Sequence, residues 1–212
     1  GPLSRTLGSF EAYWDRWAQP WEFQALVKAR PVAGDVALGR AWCAAAAARA
    51  WPARLDPGLV AAIRRTKARV ESERLPAGAD PRLHLKLGPG GLADVEWTVQ
   101  LLQLRLGHDH PAVRQPGTLA ALAALEQAGA LDATEAAWLG DAYRLCVRIR
   151  NAAYLVTGRR VDSLPSDQVV LERLARALGE PAPGRQRLLE GYRRATRRAR
   201  RVVMARFWED PR

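Results

Sequence analysis

Apolar residues recur along this chain every three or four positions and rarely alternate, which is the periodicity of helices. Phe10, Tyr13, Trp14 and Trp17 share one face behind Ser9, a residue suited to an N-cap, and Pro20 ends or kinks that segment. Trp21 to Arg30 resumes it, and Pro31 to Gly34 stops it. Asp35 opens a third helix through Trp42 and the alanine run to about Ala50, where small side chains suit close helix contact. From Asp56 to Leu75 the positions Leu59, Ile63 and Val70 predict an amphipathic helix whose outer face, Arg64, Arg65, Lys67 and Arg69, is basic and solvated. A turn-rich stretch, Pro76 to Pro81, leads to Leu83, Leu85 and Leu87, which alternate with His84 and Lys86 as a short extended strand would.

The second half repeats the helical pattern. Val95, Val99, Leu102 and Leu106 make one apolar face, and Trp97, Leu101 and Leu104 carry it most of the way round, so this helix is predicted to be buried. Glu96, Gln100 and Gln103 fall on a single polar stripe of it and need partners. Thr118 begins a helix that stops at Gly129, Asp132 caps a longer one to Gly158, and Ser166 caps another to Gly179. A last helix after Gly184 places Leu188, Tyr192, Ala195, Ala199 and Val202 at spacings of four and three, a packing seam clothed in arginines. These elements predict an all-α bundle of about seven or eight helices in a single domain over residues 1–212, with at most a short strand or hairpin before the glycine-rich turn.

That turn, Lys86 to Gln103, is where chemistry concentrates. Gly88, Gly90 and Gly91 let the backbone approach another group closely, and Pro89 stiffens the bend. The first amides of a helix have no internal partner and carry the positive end of its dipole, so a turn with Lys86 just upstream is built to receive phosphate or carboxylate. The structural alternative is that Asp94 caps the first turn, the glycines allow a tight corner, and the glutamine stripe bonds to a neighbouring helix.

Composition adjusts this picture. The net charge of +11 and isoelectric point near 10.8 are those of a nucleic-acid binder, but only Lys28, Lys67 and Lys86 are lysines among 33 basic residues. That skew, with the alanine runs, is the codon bias of a GC-rich genome, and no aromatic residues interleave with the arginines of the last helix to stack bases. A nucleic-acid-binding helical module is therefore the lesser alternative. Cys43 and Cys146 are far apart, no apolar run of about twenty residues spans a membrane, and a reducing cytoplasm is the expected location. His84, His108 and His110 lack ligand-spaced partners, and no zinc pattern, catalytic triad or Asp-x-Asp pair is present. Gly1-Pro2 reads as native or as a tag remnant.

Three stretches read together, Trp21 to Arg30, Lys86 to Leu104 and Asp162-Ser163-Leu164-Pro165-Ser166-Asp167, resemble the glutamine synthetase adenylyltransferase family over nearly the whole chain. The lysine, paired glycines and Asp94 also resemble the matching turn of PII-protein uridylyltransferases. The resemblance implies a bifunctional parent with two nucleotidyltransferase halves. One attaches AMP from ATP to a tyrosine of glutamine synthetase and the other removes it by phosphorolysis; in each, a Mg²⁺-dependent core precedes a helical domain like this one. Trp97 after Glu96, and Arg148-Ile149-Arg150-Asn151-Ala152, look more like the C-terminal, adenylylating half than the adenylyl-removing one. The family's metal-binding carboxylates lie upstream of such a segment and have no counterpart in it, so the core is expected in cis and the segment alone is expected to bind no metal and be inactive. Under this reading Lys86, Gly88, Gly90 and Gly91, with Lys28 and Arg30, form a wall of the nucleotide or phosphate site, Asp94 and Glu96 orient those basic groups, and glutamine synthetase, with the PII signal protein as a second candidate, is the docking partner.

Overall fold

The computed structural model describes residues 4–209, and Gly1-Pro2 lies outside them. Among the described residues there are nine α-helices and no strand: α1 (Leu7–Arg16), α2 (Pro20–Leu26), α3 (Val36–Ala50), α4 (Pro57–Glu73), α5 (Leu92–Leu106), α6 (Thr118–Gln127), α7 (Ala133–Thr157), α8 (Gln168–Ala177) and α9 (Gly184–Val203). The predicted all-α bundle is the fold. Asp35, Asp56 and Asp132 cap α3, α4 and α7, accepting from Leu38, Gly58 and Glu135 backbone N–H groups respectively.

Four boundaries differ from the sequence expectation. Thr6, not Ser9, caps α1, and Asp167, not Ser166, caps α8, accepting from Val169 N at 2.7 Å. Pro20 opens α2 instead of only breaking its predecessor, because a first-turn proline forfeits an amide that has no partner there anyway. α2 then ends at Leu26, which leaves Lys28 and Arg30 beyond it. The expected strand at Leu83 to Leu87 does not form. Pro81–Leu83 make a single 3-10 turn, His84 pairs with Ser163 in one isolated bridge, and Gly88 N donates back to His84 O at 2.9 Å, curling the chain before a ladder can extend.

α5 lies at the centre, with ten of its fifteen residues buried. The 25-residue α7 packs against α5, α6, α8 and α9, and α9 crosses both α7 and α8 before meeting α5. Two apolar clusters result. The larger joins Ile63, Val95, Val99, Leu125, Leu139, Val202 and Phe207; the smaller joins Leu85, Leu92, Cys146, Ile149, Leu174 and Tyr192. Leu92 belongs to the small cluster and Val95 to the large one, so the glycine-rich turn sits on the seam between them. α9 continues into one wide π-type turn, Met204–Trp208, which buries Phe207 and is tied to α4 by Arg64 Nε donating to Phe207 O at 2.6 Å.

Candidate functional site

The turn between Lys86 and Leu92 is closed on itself. Gly90 has φ +74°, and a Cβ there would stand 1.9 Å from the Thr196 carbonyl oxygen of α9; one on Gly88 would stand 2.3 Å from Pro81 O. Only glycine fits either place. The amides assigned to an incoming anion are taken by the chain: Gly90 N donates to Asp94 Oδ2 at 2.7 Å, Gly91 N to Gly88 O at 2.8 Å, Leu92 N to Leu85 O at 3.0 Å and Ala93 N to Lys86 O at 2.9 Å. The expectation that Gly88, Gly90 and Gly91 offer free backbone donors is corrected accordingly: Gly88 N donates to His84 O at 2.9 Å, and the glycines admit close backbone contacts, Gly90 with α9 and Gly88 and Gly91 within the turn itself.

Asp94 explains how the turn is held. It is 1% exposed; one oxygen meets Lys67 Nζ, and the other accepts from Arg200 Nη1 at 2.8 Å besides Gly90. Lys67 also pairs with Glu71 and lies under the Phe207 and Trp208 rings, 5.6 and 5.7 Å from their centroids. Burial alone would push the Asp94 carboxyl up, but the Lys67 and Arg200 charges outweigh it and hold it below the ordinary carboxylate range. Glu71 goes the other way, raised chiefly by its own burial. Asp94 thus ties down the turn before α5 through the Gly90 amide, and the basic groups it meets are Lys67 and Arg200, not Lys86, Lys28 or Arg30; the N-cap of α5 is Gly91, with no side-chain cap. Lys67, expected on the solvated face of α4, is 1% exposed. Its spacing carried the signal: Val60, Ile63 and Lys67 share the buried stripe, with Glu71 one turn on.

The polar stripe of α5 is satisfied across helices. Gln24 Nε2 of α2 donates to Gln100 Oε1 at 2.7 Å, and Gln103 Nε2 donates to Val113 O and Gln115 O at 2.7 and 2.8 Å. Glu96 does meet one predicted partner, lying 3.7 Å from Lys28 Nζ, and it also accepts from Tyr143 OH at 3.3 Å. Arg30 is exposed and makes no ion pair among the described residues.

Two basic depressions flank the turn. On one side Lys86 is exposed at the rim of a cleft of about 570 Å³ shared with Arg74, His84, Glu96, Arg160 and Asp162. Its acids are neutralised elsewhere, Glu96 by Lys28 and Asp162 by Arg150 at 2.7 Å, whereas Arg74, Lys86 and Arg160 have no acid partner among the described residues. His84 is 3% exposed and accepts at Nδ1 from Leu87 N at 2.9 Å and from Lys86 N at 3.3 Å. Burial lowers its pKa, so the ring is neutral with its proton on Nε2, which has no hydrogen-bond partner among the described residues. On the other side Pro89 lines a trough of about 880 Å³ along α9.

These features define a class first: an all-α domain organised on a Lys-Leu-Gly-Pro-Gly-Gly-Leu-Ala-Asp turn. A family model described as GlnD PII-uridylyltransferase matches residues 61–207, and one described as glutamate-ammonia ligase adenylyltransferase matches residues 1–44. Bifunctional glutamine synthetase adenylyltransferase/adenylyl-removing enzymes are similar over nearly the whole chain. The one from Streptomyces coelicolor is 50% identical over 209 residues, 98% of this chain and 21% of its own length. That from Mycobacterium avium is 49% identical over 204 residues, 96% of this chain and 20% of its own. The Leifsonia xyli enzyme is 46% identical over 211 residues, all of this chain and 21% of its own. The chain belongs to the glutamine synthetase adenylyltransferase family and spans about a fifth of the length of these curated relatives.

Proposed function

We propose that this chain is the helical domain of the C-terminal, adenylylating half of a cytoplasmic enzyme that transfers AMP from ATP to a tyrosine of glutamine synthetase. Within it, the Lys86 cleft forms one wall of the nucleotide site. The observation that carries this is the charge of Arg74, Lys86 and Arg160, uncompensated among the described residues, around a cleft whose own acids are already paired. Phosphate groups fit that donor set: three cations around one cleft offset negative charge without a proton having to move. In the parent, these groups would hold the polyphosphate still while the nucleotidyltransferase core works on it.

Mg²⁺ does not fit this chain's own acid cluster. Asp94 and Glu71 turn their oxygens onto Lys67 and Arg200, and no group of three or more His, Cys, Asp or Glu among the described residues could hold a metal. No step of the reaction is therefore assigned to a metal held by this domain, and the core in cis would supply it.

Lys86→Ala in the full-length enzyme tests the proposal. The expected result is a fall of about 10²-fold in kcat/KM for adenylyl transfer, with the unfolding midpoint unchanged, because Lys86 is exposed and its ammonium makes no hydrogen bond among the described residues. An unchanged kcat/KM, or a loss matched by loss of fold, sinks it.

A further inference from the structure

The trough on the opposite side of the glycine turn is a separate surface. It is lined by Arg193, Arg197, Arg200 and Arg201 of α9 and by Arg82, together with Pro89, Met204 and Ala205. Arg200 is spent on Asp94 and Arg82 on Asp80. The other three are exposed and have no carboxylate within ion-pair distance among the described residues; Arg201 lies 5.1 Å from the Trp138 ring centroid, and Arg193 acts on Asp80 only through space. Arg193, Arg197, Arg201 and Met204 follow one another at helical spacing, so the cationic stripe ends in an exposed thioether, 40% accessible. From Arg193 to Met204 it is about 16 Å long at 1.5 Å per residue.

We propose that this trough docks an acidic amphipathic segment of a protein partner, with carboxylates one helical turn apart on Arg193, Arg197 and Arg201 and an apolar side chain on Met204 and Ala205. A lone phosphate or triphosphate would engage only part of a stripe this long. A nucleic-acid strand has the length but would set phosphate or sugar against the apolar end, and no free aromatic ring is there to stack a base. An acidic amphipathic helix meets both requirements: its charges answer the uncompensated guanidiniums, and its apolar edge covers the methionine. Glu209 at the far end of the trough would repel a carboxylate there, which favours one direction of the segment.

The test is fluorescence anisotropy with the 212-residue chain at about 0.15 M salt, where long-range charge attraction is screened. The probe is a labelled synthetic peptide of about 14 residues with Glu at i, i+4 and i+8 and a leucine edge; a scrambled peptide of equal charge and a dT oligonucleotide of equal charge serve as competitors. The amphipathic peptide should bind at least about tenfold more tightly than the scramble, and the double reversal Arg193→Glu/Arg197→Glu should weaken it about tenfold or more. An equal reversal on α8, Arg173→Glu/Arg176→Glu, should leave it within about twofold. Circular dichroism checks each variant, and Arg193→Gln/Arg197→Gln replaces the reversal if that does not fold. Equal binding of the scramble, equal damage from the α8 reversal, or stronger competition by the oligonucleotide overturns the proposal.

Discussion

His84 shows how much one side chain decides here. Its Nδ1 receives two backbone amides that shape the chain into Lys86 and Leu87, and a proton on that nitrogen would break both bonds. Its pKa is lowered by burial, so the folded state resists protonation while the unfolded chain takes a proton near pH 6.5. The stability that this histidine contributes is complete above that pH and declines as pH falls below it, until the folded-state pKa is reached. Thermal unfolding between pH 8 and pH 5 should show the midpoint dropping on the acid side, and His84→Gln, whose amide oxygen can still accept, should flatten that drop. An equal slope in both proteins would locate the titration elsewhere. His84 was visible in the sequence only as a histidine without ligand-spaced partners; its role follows from a bend that spacing cannot reveal. Gly90 was better marked, since glycines at that density announce a close approach, though not that the visitor is the Thr196 carbonyl from 106 residues away.

At the scale of elements, Asp94 ties three helices together, reaching Lys67 of α4, the start of α5 and Arg200 of α9. Removing one partner from a buried ionic cluster leaves charge stranded, which costs more than the intact cluster contributes. Asp94→Asn is therefore expected to lower unfolding free energy by about 3–5 kcal/mol in urea titration, while Glu96→Gln, on a half-exposed pair, should cost less than about 1 kcal/mol. A smaller loss at Asp94 than at Glu96 would contradict this assignment. Helix positions were legible because amphipathic periodicity and Asp caps repeat along the chain. The Leu83–Leu87 strand was misread because alternation over five residues cannot be told from a curl when a proline precedes it and a glycine follows. Lys67 was misread because a lysine among arginines looks solvated until its place on the Val60–Ile63 stripe is weighed.

For the whole molecule, the domain has a core of its own in two connected parts, so it is expected to fold without the rest of its parent. Incubated with ATP, Mg²⁺ and glutamine synthetase, the isolated 212 residues should transfer no AMP, as followed by label incorporation into the synthetase. Turnover above background would show that the chemistry resides in this piece after all. Charge at this scale was legible but ambiguous. An arginine count says nothing about which guanidiniums are already matched: Arg49, Arg82, Arg144, Arg150, Arg200 and Arg206 each meet a carboxylate, and composition cannot tell them from their neighbours.

The partition between the cleft and the trough is one bend of backbone, pinned to α9 where glycine leaves no side chain between Gly90 and Thr196. There is no room there for even a methyl group. A nudge to α9 from whatever settles along it would reach the Lys86 rim as through a stiff lever, and two surfaces that look independent on a map would share a single mechanical pivot.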